Sequence, residues 1–216
     1  MLNPYIDHTI LHPTTTLAQV AKLCQEAVEY KFAAVCVPPL YVSKAKEYTL
    51  NSSVQVATVI GFPYGYSAIE AKIAEILLAI VDGAHELDMV INLAALKSND
   101  WQYLANEITH VMSIITQKQK VLKVIIETGL LTTPEIIQCC DVYGAAGVQY
   151  IKTSTGTAAV GATIEAVQLI RKHTANTVHI KASGGIKTAA FAHELIQAGA
   201  SRIGTSAGVS LMQSAE

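Results

Sequence analysis

Eight short apolar runs alternate with amphipathic stretches along the whole of this 216-residue chain, and that rhythm restricts its fold more than any other feature. The runs are Ile6 to Leu11, Ala33 to Val37, Gln55 to Ile60, Glu86 to Ile91, Val121 to Glu127, Gly147 to Lys152, Thr177 to Lys181 and Arg202 to Gly204. Their length and β-branched content predict buried strands. The stretches between them, near residues 15–30, 41–49, 67–81, 100–117, 134–143, 162–173 and 188–198, carry helical spacing. Thr133 reads as an N-cap, with Pro134 at the first helical position, Glu135 in the first turn and Gly144 as the stop. Gly83-Ala84, Gly144-Ala145 and Gly199-Ala200 each close a helix shortly before a strand, an internal echo in which the glycine suits a left-handed C-cap.

Strands separated by helices pair in parallel through right-handed crossovers. Eight such units without a linker predict one α/β domain over residues 1–216, a single (β/α)8 TIM barrel. The rival is an open doubly wound sheet. It calls for a glycine phosphate loop after the first strand, and Leu11-His12-Pro13-Thr14 contains no glycine.

Composition narrows the partners. With 51% hydrophobic and 15% charged residues the chain can bury a large core. Its 15 basic and 17 acidic residues are dispersed, so neither a nucleic acid nor a membrane surface is an expected partner. The apolar stretch Ile73 to Val81 is interrupted by Glu75 and is too short to span a bilayer. Met1 to His8 lacks the basic flank and apolar region of a signal peptide, which makes a cytoplasmic location the expectation. Cys24, Cys36, Cys139 and Cys140 form no CxxC or zinc spacing and read as reduced, buried side chains. The seven histidines include no HxH or HExxH, and His8 and His12 flank a strand end, so neither metal nor cofactor is expected.

In a barrel of this kind the chemistry sits at the carboxyl ends of the strands. Polar residues gather there: Asp7 and Thr9, Asp88 and Asn92, Glu127 and Thr128, Lys152, and Lys181. Taken singly, either lysine is a strand-end residue reaching for water. Period-two alternation puts Lys152 on a face with Tyr150 and Val148, Lys181 with His179, and Asp88 with Val90 and Asn92. If those faces point inward, two amines meet one carboxylate. Two ammonium groups about 4 Å apart repel by about 4 kcal/mol at an effective dielectric of about 20, equivalent at most to about 3 pKa units. One amine is then neutral enough to attack an aldehyde, and the resulting imine draws electrons from the adjacent carbon as aldol cleavage requires. Asp88 would hold the charged lysine and relay protons.

Two glycine loops complete the pattern. Ser183-Gly184-Gly185-Ile186-Lys187 follows the seventh strand and Gly204-Thr205-Ser206-Ala207-Gly208 the eighth. Each alone is an ordinary turn. Together they occupy the positions where phosphate-binding barrels offer bare backbone amides to an anion.

With these residues in view, the chain resembles the deoxyribose-phosphate aldolases, a family of class I aldolases. The resemblance runs through eight ordered blocks, including Ile6-Asp7-His8-Thr9, Gly61-Phe62-Pro63, Glu86-Leu87-Asp88-Met89-Val90-Ile91-Asn92, Ile151-Lys152-Thr153-Ser154-Thr155-Gly156, Lys181-Ala182-Ser183-Gly184-Gly185-Ile186 and Arg202-Ile203-Gly204-Thr205-Ser206. It implies reversible cleavage of 2-deoxy-D-ribose 5-phosphate to D-glyceraldehyde 3-phosphate and acetaldehyde, in deoxyribonucleoside breakdown. It further implies that Lys152 forms the Schiff base, Lys181 perturbs it and Asp88 moves protons, with Asp7 and Thr9 in support. Phosphate would rest on Gly156, Gly184, Gly185, Gly204 and Ser206, with Thr155 near the sugar hydroxyls. A homodimer is compatible with this resemblance.

Four departures stand out. Thr157 occupies a position where some members carry a phosphate-contacting lysine, His12 one where lysine is frequent, and Gly129 one where cysteine is frequent. A C-terminal tyrosine of some relatives has no counterpart in Leu211 to Glu216. Glu127 is expected to brace a barrel lysine, and His85 and His179 to be packed or surface residues. Two other readings keep the same fold: a lysine-dependent aldolase acting on another sugar phosphate, and a non-catalytic sugar-phosphate-binding barrel.

Overall fold

The eight runs become eight parallel strands that close in chain order. In the computed structural model, which describes residues 1–214, these are β1 (Ile6–Thr9), β2 (Ala34–Val37), β3 (Gln55–Ile60), β4 (Glu86–Val90), β5 (Val121–Ile125), β6 (Tyr150–Lys152), β7 (His179–Ser183) and β8 (Arg202–Thr205). Each pairs with its successor, and β8 returns to β1 with Gly204 opposite Asp7. Around them lie α1 (Leu17–Glu29), α2 (Val42–Tyr48), α3 (Ile69–Val81), α4 (Leu93–Lys97), α5 (Trp101–Gln117), α6 (Thr133–Ala145), α7 (Ile164–Lys172), α8 (Ala189–Gln197) and α9 (Gly208–Gln213). This is the expected (β/α)8 barrel. Ala215 and Glu216, which end the segment lacking the tyrosine, fall outside the described residues.

Alternation along the strands divides the core. Outward residues such as Val35, Val56, Leu87, Met89, Val124, Ile151 and Ile203 pack beneath Leu23, Ile76, Leu104, Val111, Ile170 and Leu195 of the helices in one continuous cluster. Burying each such side chain contributes about 1.5–3 kcal/mol. Cys36, Ala57 and Val59 form a separate, smaller cluster, against which Leu11 and Phe62 pack. All four cysteines are buried and unpaired. Among the described residues no helix is long and apolar enough to cross a membrane.

Several boundaries move. The periodicity missed α4 and α9, which are too short to establish a helical pattern. Asn92, expected among the strand-end polar groups, caps α4 by accepting from the Ala95 amide at 3.0 Å. The α6 helix begins one residue early: Thr132 is its N-cap and forms a capping box with Glu135. Gly144 lies inside α6 and stops nothing; Gly147, at φ +74°, makes the left-handed turn, and Val148 N–H donates back to Tyr143. The echo is therefore Gly83, Gly147 and Gly199, offset by three residues from the sequence reading in α6. β5 ends at Ile125, and two residues later Glu127 enters the left-handed region at φ +56°.

Candidate active site

Barrel interiors are ordinarily filled by branched apolar side chains. This one is charged. Asp7 from β1, Glu86 and Asp88 from β4, Lys123 from β5, Lys152 from β6, Lys181 from β7 and Arg202 from β8 are all buried. The register sets Asp88 opposite Lys123, Lys152 opposite Lys181, and Lys181 opposite Arg202. An isolated buried charge costs several kcal/mol, so such a core survives only if its charges pair. They do. Asp88 Oδ1 accepts from Lys123 Nζ at 2.9 Å, and Asp88 Oδ2 accepts from both Lys152 and Lys181 at 2.8 Å. Asp7 pairs with Lys181 and accepts from Arg202 at 2.9 Å, while Glu86 binds Lys123 and Arg202.

Four cationic side chains face three carboxylates, so full ionisation leaves one surplus positive charge. Lys152 is the group placed to shed it. Burial lowers its pKa first; Asp88 opposes that shift, and the Lys181 ammonium adds to it. Burial also disfavours the charge on Lys181, but Asp7 and Asp88 outweigh it and the pKa rises. Lys123 follows suit: burial opposes its charge, and Asp88 and Glu86 prevail. Burial alone would raise Asp88, yet Lys123, Lys152 and Lys181 hold it well below the usual carboxylate range. The two lysines are thus shifted in opposite directions, and burial, not the neighbouring ammonium, leads the depression of Lys152.

A cavity of about 390 Å³ opens at the carboxyl ends of the strands. Of the seven interior charges, only Lys152 reaches its wall; Asp7, Asp88 and Lys181 lie behind. Thr9, Thr155, Gly156, Gly184, Gly185, Gly204 and Ser206 all line this same space. The loops after β6 and β7 meet backbone to backbone: a β-carbon on Gly161 would lie 2.3 Å from the Gly184 carbonyl oxygen. Gly204 has a second task. A β-carbon there would stand 3.0 Å from Lys181 Cε, so its bareness makes room for the lysine stem.

Supporting contacts fix the rim. Thr9 Oγ1 donates to the Asp7 carbonyl at 2.8 Å. Glu127 braces no lysine, contrary to expectation; the Thr155 hydroxyl and amide both donate to it. Thr157 turns its hydroxyl to Thr155 Oγ1 at 2.8 Å. Gly129 is closely packed, since a β-carbon would sit 2.5 Å from the Val160 carbonyl oxygen. His12 lines the cavity, His85 Nδ1 accepts from the Val56 amide at 3.1 Å, and His179 packs against Tyr150.

The sequence reading missed Glu86, Lys123 and Arg202 as partners of the central pair, while Ser183 and Lys187, named in its first glycine loop without a role of their own, line the cavity. The signal for Glu86 was present, because it lies two residues before Asp88 on one strand. Arg202 opens β8, where chemistry is not sought, and Lys123 stands midway along β5 with no polar neighbour on its strand to mark it.

A family model described as DeoC/LacD family aldolase matches residues 2–214. A deoxyribose-phosphate aldolase of Thermococcus kodakarensis is 47% identical over 213 residues, covering 98% of this chain and 95% of that protein. One of Brevibacillus brevis is 47% identical over 215 residues, covering 100% and 96%. The solved structure described as a unique tetrameric deoxyribose phosphate aldolase from Aeropyrum pernix superposes with a TM-score of 0.91 at 31% identity, covering 99% of this chain and 90% of that one.

Proposed function

The chain belongs to the DeoC/LacD family of aldolases, and on that premise we propose how its charged barrel performs the reaction. It is a lyase that reversibly cleaves 2-deoxy-D-ribose 5-phosphate to D-glyceraldehyde 3-phosphate and acetaldehyde. Breakdown of deoxyribonucleosides in the cytoplasm, by a homodimer, is the setting we assign to it.

One observation carries the mechanism: Lys152 alone among the interior charges reaches the cavity, across from the glycine loops. Its neutral amine adds to the C1 aldehyde of the open-chain sugar, giving a carbinolamine that loses water to form a protonated imine. A base removes the C3 hydroxyl proton, C3 becomes the aldehyde carbon of the leaving fragment, and the C2–C3 bond breaks with its electron pair forming the C1=C2 bond of an enamine as the imine nitrogen accepts the charge. Glyceraldehyde 3-phosphate leaves. The remaining enamine takes a proton at C2, and water releases acetaldehyde and the free amine.

The surrounding residues divide the work. Lys181 stays cationic and destabilises charge on Lys152. Asp88 is a counter-ion first, because its depressed pKa makes it a poor base, and its Oδ2 holds the two lysines side by side. Asp7 holds Lys181, and Thr9 steadies the Asp7 backbone. The sugar phosphate lies with its anion on Gly156, Gly184, Gly185, Gly204 and Ser206, where Lys187 adds a positive charge at the rim. Thr155, oriented by Glu127, meets the hydroxyls.

The test is to incubate the protein with acetaldehyde, reduce with borohydride and map the added mass. Label on the peptide containing Lys152, absent in Lys152→Ala, is the expected result. Label confined to another lysine defeats the mechanism.

A further inference from the structure

A second fully buried ion pair lies outside the barrel and takes no part in the chemistry above. Lys72 of α3 donates to Glu107 Oε1 of α5 at 2.7 Å, and both side chains are completely inaccessible. Burial lowers the Lys72 pKa and raises that of Glu107, with each partner opposing the shift of the other. Glu75 and Tyr143 are the other titratable groups acting on the pair. Such a pair is weak as a source of stability, since apolar replacements of similar volume often serve as well. Its placement indicates another use.

Lys72 also donates to the Val90 carbonyl at 2.8 Å. β3 and β4 pair up to Ile60 opposite Met89, so Gly61 and Val90 would come next in the ladder. The strands part there instead. The Gly61 amide donates to Glu75 at 2.7 Å, and the Val90 carbonyl accepts from Lys72. Two residues one turn apart on α3 thus take over the backbone groups released where the ladder opens. A β-carbon on Gly61 would lie 2.9 Å from Lys72 Cε, so the lysine stem also supports the departing end of β3. What parts is functional on both sides. The residue after Gly61 is Phe62, on the cavity wall, and two residues before Val90 is Asp88.

We propose that Lys72, anchored by Glu107, is a positioning residue that holds β3 and β4 apart at the barrel mouth and so fixes Asp88 against Lys152 and Lys181. The role rests on the mechanism above, in which Lys152 is the nucleophile. Neither Lys72 nor Glu107 touches the substrate.

The test is the double variant Lys72→Met/Glu107→Leu, which removes both charges and leaves no buried ion unpaired. It is expected to fold, to lose about tenfold in kcat with KM changed by less than about threefold, as a small misplacement of reacting groups predicts. With Asp88 loosened from the amine, the pH midpoint of borohydride trapping at Lys152 moves down. Glu107→Gln, which keeps an oxygen for Lys72, is expected to retain most of the activity. Unchanged kcat and midpoint in the double variant overturn the proposal. So does a double variant that does not fold, which makes the pair a stability element, or a Glu107→Gln loss as large as that of the double variant. Absence of label at Lys152 in the unaltered protein defeats the mechanism, whereas the kcat and KM comparison decides the positioning role in either case.

Discussion

Lys152 and Lys181 donate to the same oxygen, Asp88 Oδ2, each at 2.8 Å. Only one of them has a second carboxylate, because Asp7 pairs with Lys181 and not with Lys152. In the proposed mechanism this asymmetry decides which amine gives up its proton. An ammonium shared between two carboxylates is held, and one that shares a single oxygen with a rival ammonium is released.

Replacing Lys181 by leucine removes the cation that helps depress Lys152. The Lys152 pKa then rises, a smaller fraction is neutral near pH ~7, and turnover falls by roughly tenfold or more, recovering in part as pH increases. The rate of borohydride trapping against pH is the measurement. An unchanged midpoint would sink the coupling.

Gly204→Ala places a β-carbon against Lys181 Cε and Ser183 Cβ. Overpacking of this kind destabilises by about 1–3 kcal/mol. Chemical denaturation should register that loss, and kcat should fall with it. Wild-type stability and rate in the variant would mean that the lysine stem has room to spare.

Lys187→Ala removes the positive charge from the phosphate side of the cavity. KM for the sugar phosphate should rise by roughly three- to tenfold, as loss of one solvent-accessible charge-assisted contact predicts. Acetaldehyde trapping at Lys152 should be unaffected. Equal losses for both substrates would remove Lys187 from the phosphate site.

Asp7 and Asp88 have folded-state pKa values below the ordinary one, so their contribution to stability is complete above the unfolded carboxylate range and disappears as pH falls through the folded values. For these two groups, urea unfolding should show little pH dependence above about pH 5 and a decline below about pH 4. The Asp88→Asn variant should start less stable and decline less steeply. Identical acid slopes in the two proteins would rule Asp88 out as a contributor.

The barrel was legible because eight apolar runs and their helices repeat one local pattern, and patterns of that kind survive translation into structure. Lys152, Lys181 and Asp88 were legible for a related reason: each stands in a strand where alternation fixes its direction, Lys152 at the end of β6 and the other two midway along theirs. Glu127 was not. Its direction depends on a left-handed backbone at φ +56°, and no residue type announces that when it is not glycine. Gly144 failed through a three-residue ambiguity, because Gly144 and Gly147 both follow α6-like sequence and only the end of packing chooses between them. Arg202 was hidden by its place at the start of β8 and Lys123 by an otherwise apolar strand, although a shared interior joins them to Asp88 and Asp7.

Asp7 stands on the first strand, and its partners Lys181 and Arg202 stand on the seventh and eighth. A ribosome making this chain releases the carboxylate long before the guanidinium that satisfies it. Until the last strand emerges, dehydrating the interior would strand an unpaired acid in a low-dielectric space. The half-made barrel must therefore stay wet inside. Water leaves its centre only when the eighth strand meets the first, which makes sealing of the barrel a late event of folding.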